Sequence, residues 1–255
     1  MPSFASYPSL RNRPVFISGG GSGIGASMVE HFCEQGAKVA FVDIDEPASK
    51  ALVAKIAAAG HSSPVFQKCD LRDIAAYQAA IAEMAGRVGD FTVLVNSAAR
   101  DDRHALEEVT ATYWDERIAV NLRHQFFAIQ SVAPGMRKAG GGSIINFSSV
   151  SYHTMTDRLS VYQAAKAAVE GLTRGLAREL GPDKIRLNSI TPGWIMTQRQ
   201  IDLWLTPEAE ADLMKAQCLK EKLYPPDIAR MVLWLAADDS RLVTAQNFFV
   251  DGGRA

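Results

Sequence analysis

The chain has 255 residues, 47% of them apolar, and a formal net charge of −1 at pH 7. A chain of this length can bury one substantial core, so a single domain over residues 1–255 is expected. A charge near zero without long basic runs argues against nucleic acid and anionic membrane surfaces as partners, which leaves a small molecule as the expected ligand.

No targeting signal is visible at the start of the sequence. Residues 1–13 contain no continuous apolar stretch, so we expect neither a signal peptide nor a membrane span, and a cytoplasmic location. The three cysteines, Cys33, Cys69 and Cys218, are widely separated and form no CxxC pair. This pattern argues against a disulfide framework and a zinc site, and predicts three reduced thiols in the core. No metal site is expected.

Short β-branched runs alternate along the chain with alanine-rich stretches of helical period, which is typical of repeated βαβ units. The expected strands are 14–18, 38–42, 64–69, 92–96, 143–148, 185–190 and 246–250. The expected helices are 23–35, 47–59, 71–87, 111–138, 158–179 and 226–236. Several strands are apolar throughout, as they are when helices cover both faces of a sheet. We therefore predict an α/β doubly wound Rossmann fold with a seven-stranded parallel sheet.

One long insertion, residues 194–225, separates the sixth strand from the last helix. It mixes tryptophan, methionine and charged residues. A segment of this length and amphipathic character favours a substrate lid over a passive connector.

A glycine-rich segment, Ser18 to Gly25, follows the first strand and opens the first helix. Backbone N–H groups and the helix dipole at such a point can hold a pyrophosphate. The strand before it and the helix after it favour a dinucleotide site over a merely tight turn.

Asp43 closes the second strand, eighteen residues beyond Gly25. A carboxylate at this position accepts hydrogen bonds from the adenosine ribose hydroxyls and repels a 2′-phosphate. No Arg or Lys is placed to bind that phosphate, so NAD is predicted rather than NADP. The alternative role for Asp43 is to cap the next helix, which Asp45 could do instead.

Polar residues also end the third and fourth strands, at Asp70-Leu71 and at Asn96-Ser97-Ala98-Ala99. The carboxyl ends of strands are where open α/β sheets bind their ligands. For Asp70, capping of the following helix is the alternative.

Tyr162 and Lys166 lie four residues apart in a predicted helix, with Ser149 thirteen residues before Tyr162. The spacing places Tyr162 and Lys166 on one helix face, one turn apart. A phenol titrates near ~10, so a tyrosine base at neutrality needs its pKa lowered by roughly 3 units. The Lys166 charge and an oxidised nicotinamide ring could together supply that shift, which predicts a hydride-transfer site.

With these residues in place, the chain resembles the classical short-chain dehydrogenases/reductases from about residue 11 onward. The motifs that carry the resemblance are Ser18-Gly19-x-x-x-Gly23-x-Gly25, Asn96-Ser97-Ala98-Ala99, Asn121, Ser149, Tyr162-x-x-x-Lys166 and Pro192-Gly193-x-Ile195-x-Thr197. Two departures from the family pattern are Ser18 in place of threonine, which retains the hydroxyl, and Asn-Ser-Ala-Ala in place of Asn-Asn-Ala-Gly, in which Ser97 loses an amide that often ties neighbouring strands together.

The resemblance implies a role for each catalytic residue. Tyr162 is then the general acid/base, Ser149 orients the reacting oxygen, and Lys166 binds the nicotinamide ribose and lowers the tyrosine pKa. Asn121 holds a water that continues the proton relay. The implied cofactor contacts are Gly19, Ser22, Gly23, Ile24, Gly25, Asp43, Asp70, Leu71, Asn96, Ala98, Tyr162, Lys166, Pro192, Gly193, Ile195 and Thr197. The family usually forms homotetramers, which is the assembly expected here.

Three further stretches resemble bacterial aldose 1-dehydrogenases of the D-xylose dehydrogenase type, which oxidise an anomeric hydroxyl to a lactone. They are Asp101-Asp102-Arg103-His104, the run from Tyr113 to His124, and Ala216-Gln217-Cys218-Leu219-Lys220. The expected substrate contacts are Asp102, Ser149, Ser151, Tyr162 and Trp194.

Other functions are considered beside this one. The first is a dehydrogenase/reductase of the same family acting on another secondary alcohol or ketone. The second is a non-catalytic regulator that binds NAD, although such a protein is expected to have lost Ser149, Tyr162 or Lys166. A serine hydrolase is disfavoured because Ser149 lies in no G-x-S-x-G elbow.

Overall fold

The computed structural model describes residues 4–255, which form one sheet of seven parallel strands with helices on both faces. The strands lie in the order β3-β2-β1-β4-β5-β6-β7. Their bounds are β1 Pro14–Ser18, β2 Lys38–Asp43, β3 Val65–Lys68, β4 Val93–Asn96, β5 Gly142–Phe147, β6 Ile185–Pro192 and β7 Asn247–Val250. The predicted fold class is confirmed.

The helices follow the strands in alternation. Their bounds are α1 Gly23–Glu34, α2 Glu46–Ala58, α3 Ile74–Val88, α4 Ala111–Ile118, α5 His124–Lys138, α6 Ser160–Leu180, α7 Gln198–Trp204, α8 Pro207–Ala216 and α9 Pro225–Ala236. A π-helical segment, Ala119–Arg123, joins α4 to α5.

Two apolar cores cover the two faces of the sheet. Val15 and Ile17 point to one face, where they pack with α1, α2 and α9, whereas Phe16 between them points to the other, where it packs with α3, α5 and the end of α6. This alternation is the two-residue period of a strand, and all three side chains are fully buried. Burial on both faces explains why the central strands are apolar throughout.

Three predicted elements need correction. The helix expected over 111–138 is interrupted by the π-helical segment. The helix expected from residue 71 begins at Ile74, because the Asp73 side chain accepts a hydrogen bond from Ala76 N at 3.0 Å and so caps it there. The segment 194–225 contains two helices, α7 and α8, that were not predicted.

The cysteines differ in burial. Cys33 and Cys69 are buried, as expected, whereas Cys218 is exposed, so the prediction of three core thiols is wrong for Cys218. Its segment runs along residues 252–253 instead of entering a core, with Cys218 N donating to the Gly253 carbonyl at 3.2 Å.

Candidate active site

The candidate site lies at the carboxyl ends of the strands, where β1 stands between β2 and β4. From β1 the chain first builds the sheet outward to β3 and then crosses to the other side at β4. Ser18 and Asn96 end these two strands in register. A reversal of this kind opens a crevice at the strand ends, which is the usual ligand site of an open α/β sheet.

The glycine-rich turn between β1 and α1 has no room for side chains. Gly19 has a φ of 71°, and a Cβ there would lie 2.7 Å from Ala98 Cα. A Cβ at Gly25 would overlap the Gly19 carbonyl oxygen. Ser22, the exposed N-cap of α1, makes no side-chain capping bond, and Ile24 follows in the first helical turn. The N–H groups that open α1 therefore face the crevice and suit a phosphate.

Asp43 supports this turn from β2. Its Oδ2 accepts a hydrogen bond from Gly21 N at 2.8 Å and its Oδ1 accepts one from Asp45 N at 2.9 Å. Asp45 itself caps α2, where it accepts from Ala48 N at 3.0 Å. Asp43 is thus not needed as a helix cap, and its carboxylate lies beside the turn where the ribose of a dinucleotide would reach it.

Asp70 does not cap a helix either, because Asp73 has that role. The Arg72 guanidinium donates to both carboxylate oxygens of Asp70, at 3.0 and 2.6 Å, and this pairing lowers the pKa of Asp70. Leu71 beside it is buried.

A hydrogen-bond network ties the strand ends together. The Ser18 hydroxyl accepts from Ser97 N at 3.2 Å and from Ala98 N at 3.3 Å. Asn96 Nδ2 donates to Asn146 Oδ1 at 2.9 Å, and Asn146 Nδ2 donates to the Thr173 hydroxyl of α6 at 2.9 Å. Ser18 in place of threonine therefore keeps its acceptor, and β1, β4, β5 and α6 stay linked with Ser97 in place of asparagine.

Tyr162 and Lys166 share one face of α6, as predicted, with Lys166 Nζ 5.5 Å from the Tyr162 ring centroid. Lys166 is buried and donates to the Phe147 carbonyl at 2.8 Å. Burial lowers the pKa of Lys166 to about 7. Burial and the Asp101 charge raise the pKa of Tyr162, while its contact with the Ser149 hydroxyl lowers it. Desolvation of the phenolate dominates in the protein chain alone, and the lowering expected from Lys166 together with an oxidised nicotinamide ring stays a prediction.

Ser149 follows β5 and faces Ser151. Its hydroxyl donates to Ser151 Oγ at 3.0 Å and accepts from Ser151 N at 3.2 Å. The Ser151 carbonyl accepts from Gln163 Nε2 at 3.0 Å, so the loop after β5 is fastened to the residue next to Tyr162.

Asn121 is fully buried in the π-helical segment. Its side chain accepts from Arg100 N at 2.8 Å and donates to the Arg100 carbonyl at 3.1 Å and to the Arg117 carbonyl at 2.9 Å. Asn121 thus fixes the start of the loop between β4 and α4.

The segment after β6 reaches the glycine-rich turn. Gly193, after Pro192, donates through N to the Val250 carbonyl at 2.9 Å, and Ile195 is buried. Thr197 caps α7, and its methyl carbon would lie 3.1 Å from a Cβ at Gly23. The start of the segment 194–225 is therefore in contact with the turn.

Helix α7 also closes onto the loop after β4. Trp194 Nε1 donates to Gln200 Oε1 at 2.8 Å, and Gln200 Nε2 donates to Asp101 Oδ2 at 2.7 Å. Beside them, Arg199 Nη2 donates to Asp102 Oδ1 at 3.0 Å. The expected site residues did not include Asp101 or Gln200, although Asp101 lies in the stretch Asp101-Asp102-Arg103-His104 that carries the aldose dehydrogenase resemblance.

Asp102, an expected substrate contact, is surrounded by arginines. Its Oδ2 pairs with Arg117 Nη1 at 2.7 Å and with Arg100 Nε at 2.9 Å, in addition to the Arg199 contact. Arg117 is almost fully buried. In this arrangement Asp102 joins α4, the loop after β4 and α7.

Two findings concern metals and membranes. Within residues 4–255, no group of three or more His, Cys, Asp or Glu side chains is arranged to hold a metal ion. In the same part of the chain, no helix combines the length and apolar character needed to cross a membrane.

Comparison with known proteins identifies a family of enzymes that bind a dinucleotide, as the crevice and the glycine-rich turn suggest. Residues 19–255 match a family model described as enoyl-(acyl carrier protein) reductase. The chain belongs to the short-chain dehydrogenase/reductase family of oxidoreductases, which bind a nicotinamide cofactor.

Within this family, the chain is similar to two sugar dehydrogenases and to a solved reductase structure. The chain is 51% identical to D-xylose 1-dehydrogenase from Caulobacter vibrioides, over 98% of this chain and 99% of that protein. It is also 51% identical to a probable galactose dehydrogenase from Rhizobium meliloti, over 99% of this chain and 98% of that protein. Among solved structures, a 3-oxoacyl-[acyl-carrier protein] reductase with bound NAD from Brucella melitensis superposes with a TM-score of 0.88 at 31% identity, covering 99% of this chain and 97% of that one.

Proposed function

We propose that this protein oxidises the anomeric hydroxyl of an aldose, D-xylose or a similar pentose or hexose, to the aldonolactone with NAD⁺ as hydride acceptor. The observation that carries the proposal is the grouping of Ser149, Tyr162 and Lys166 at the strand ends where the glycine-rich turn lies. Similarity to two sugar dehydrogenases at 51% identity supports the substrate class.

The glycine-rich turn and the residues around it fit a dinucleotide. The turn that a Cβ would fill at Gly19 and Gly25 holds the pyrophosphate against the start of α1. Asp43 holds the adenosine ribose hydroxyls, and its charge disfavours the 2′-phosphate of NADP. Lys166 binds the nicotinamide ribose. The remaining contacts are those expected for Ser22, Gly23, Ile24, Asp70, Leu71, Asn96, Ala98, Tyr162, Pro192, Gly193, Ile195 and Thr197.

In the reaction, Tyr162 acts as the base. Its phenolate accepts the proton of the anomeric hydroxyl while the Ser149 hydroxyl donates a hydrogen bond to the same oxygen as it becomes a carbonyl. A bound nicotinamide cofactor would supply the acceptor for the hydride that leaves the anomeric carbon. Since burial raises the pKa of Tyr162, positive charge from Lys166 and the cofactor is needed to stabilise the phenolate. Asn121 continues the proton path from Lys166 through a bound water.

The segment 194–225 acts as a lid over the substrate. Thr197 touches the glycine turn at one end, and at the other Leu219 N donates to the Gly252 carbonyl at 2.9 Å. In the first part of the segment, Trp194 and Gln200 form a polar wall facing Asp101. A polar wall suits a sugar better than a steroid or another apolar alcohol.

The assembly and the location of the protein are the next part of the proposal. We propose a homotetramer in the cytoplasm, the assembly on family resemblance and on the exposed Phe249 of β7, 43% of which is accessible. The three unpaired cysteines support a reducing compartment. Light scattering of the purified protein measures the assembly, and a monomer would contradict it.

A panel assay tests the activity. Purified protein is supplied with NAD⁺ or NADP⁺ and with aldoses, polyols and secondary alcohols, and the absorbance of the reduced nicotinamide is followed. We expect oxidation of a pentose or hexose with NAD⁺ that Tyr162→Phe abolishes while NAD⁺ binding persists. Activity confined to non-sugar alcohols would contradict the aldose assignment and keep the Ser-Tyr-Lys mechanism, whereas tight NAD⁺ binding without any turnover would favour a regulator.

A further inference from the structure

We propose that Asp101 and Gln200 together bind a substrate hydroxyl other than the reacting one and so determine which sugars are oxidised. The inference rests on the proposed function, and it names a pair that lies 99 residues apart in the chain and meets across the site.

The loop that carries Asp101 is fixed at both ends to residues next to the reacting groups. At its start, the Asn121 side chain holds both backbone groups of Arg100. At its end, His104 N donates to the Arg158 carbonyl at 2.9 Å. Asp101 is thereby held between the π-helical segment and the start of α6.

The second anchor of this loop lies directly beside the predicted base. Val161 N donates to His104 Nε2 at 3.5 Å, and Val161 is the residue before Tyr162. The Asp101 carboxylate is close enough to raise the pKa of both Tyr162 and Lys166. About a third of its side chain, 29%, stays accessible. Asp101 therefore faces the place where the substrate must bind, instead of being sealed into the protein.

The orientation of the Gln200 amide is fixed by its two partners. An indole N–H can only donate, so the atom that accepts from Trp194 is Oε1. The Gln200 NH₂ group therefore points at Asp101, to which it gives one of its two protons. The second N–H of Gln200 and the remaining lone pairs of Asp101 lie side by side.

A donor next to a carboxylate matches the chemistry of a sugar hydroxyl. A hydroxyl donates one hydrogen bond and accepts others, so it can donate to Asp101 and accept from Gln200 at once. An alcohol without a further hydroxyl leaves the second Gln200 N–H and the remaining acceptor capacity of Asp101 without a partner in a closed site, which weakens its binding. The pair therefore selects a polyhydroxylated substrate over a simple secondary alcohol.

The surroundings of Asp102 show why we assign substrate binding to Asp101 and not to Asp102. Three guanidinium groups, those of Arg100, Arg117 and Arg199, occupy its oxygens at 2.7 to 3.0 Å. Within residues 4–255, Asp101 forms an ion pair with one arginine, Arg199, whose Nε lies 3.5 Å from Asp101 Oδ1. We therefore assign Asp102 to fixing the lid in place and Asp101 to binding a hydroxyl of the substrate.

The test compares each sugar with its own deoxy analogues. For wild-type protein, kcat/KM is measured for the best aldose and for its 2-, 3- and 4-deoxy forms, and removal of one hydroxyl is expected to lower kcat/KM about 10- to 100-fold. In Asp101→Ala and in Gln200→Leu, the penalty for that same hydroxyl should fall towards 1, while penalties for the others stay unchanged. Because kcat/KM for the aldose is divided by kcat/KM for its deoxy form in the same variant, any effect of the substitution on folding, on lid closure or on the pKa of Tyr162 cancels.

Asp202→Ala is the matched control, because Asp202 is an exposed carboxylate on the same helix that pairs only with Gln198. It should keep the full wild-type penalty. A penalty that stays at its wild-type value in both Asp101→Ala and Gln200→Leu overturns the inference and leaves aldose oxidation standing. Failure of the wild-type protein to oxidise any aldose overturns both. If Asp101→Ala does not fold, as judged by loss of NAD⁺ binding, Gln200→Leu decides alone.

Discussion

The Lys166 ammonium donates to the Phe147 carbonyl at 2.8 Å while it stands 5.5 Å from the ring of Tyr162. The lysine is thus held by the end of β5 at a distance from which its charge acts on the tyrosine without a direct bond. Its own pKa, lowered by burial to about 7, makes that charge pH-dependent near neutrality.

Lys166→Met should lower kcat/KM for oxidation by roughly 100-fold or more. A nearby positive charge lowers the pKa of a phenol, so its loss raises the pKa of Tyr162 and moves the rise of activity with pH to higher pH. The measurement is the pH profile of kcat/KM for wild type, Lys166→Met and Lys166→Arg, in which the arginine keeps the charge. An unshifted profile in Lys166→Met would show that the lysine does not tune the tyrosine.

Asp43→Ser should lower the preference for NAD⁺ over NADP⁺ by about 10- to 100-fold, because it removes the carboxylate that we propose as the partner of the ribose hydroxyls and as the charge that repels a 2′-phosphate. The ratio of kcat/KM for the two cofactors measures it. Asp45→Ser is the control, since it removes a carboxylate two residues away and serine still caps α2. Equal changes of the ratio in both variants would mean that Asp43 has no special part in cofactor choice.

His124 should make the protein less stable in acid. It is fully buried, edge-on to Tyr77 with ring centroids 6.2 Å apart, and burial lowers its pKa to about 3. Below the unfolded-state value near 6.5 the unfolded chain binds a proton that the folded chain does not, so stability falls as pH drops from about 6.5 to about 3. At pH 5 this costs about 2 kcal/mol.

His124→Phe should therefore lose less stability than wild type between pH 7.5 and pH 5, whatever its stability at pH 7.5. Urea unfolding at the two pH values gives the difference, with His61→Phe, in the turn between α2 and β3, as the control. If wild type and His124→Phe lose equal stability, His124 is not neutral in the folded protein.

One thiol per chain should react rapidly with an aromatic disulfide in the native protein, and three should react after denaturation. Cys218 is exposed, whereas burial raises the pKa of Cys33 to about 12 and that of Cys69 to about 11, which leaves little thiolate to react. Counting released thiolate in wild type and Cys218→Ser checks this. Rapid reaction that survives in Cys218→Ser would contradict the burial of the other two.

Local sequence patterns are enough to predict the strands of the sheet and the glycine-rich turn. Runs such as 15–17 and 39–42 are apolar throughout, and Gly19 and Gly25 mark a turn where any Cβ would meet backbone. Asp45 was also identifiable as the cap of α2.

Other features depend on contacts that no local pattern contains. Asp101 and Gln200 meet across 99 residues of chain, so their pairing follows only from the folded lid. Burial of the Tyr162 phenol likewise comes from surrounding elements, and it raises the pKa of Tyr162 in the protein chain alone. The π-helical segment was hidden because the helical period of 111–138 runs through it.

The π-helical segment 119–123 holds one residue more than an α-helical path would need, and Asn121 lies at its centre. Deleting a single codon within 119–123 would remove that extra residue and let α4 and α5 merge into one regular helix without the bulge that carries Asn121. Asn121 would then leave Arg100, and the loop that bears Asp101 would lose its anchor. Deletion of one residue could therefore abolish activity without unfolding the protein. The protein would still fold and would keep its glycine-rich turn, but it would no longer hold a sugar in place.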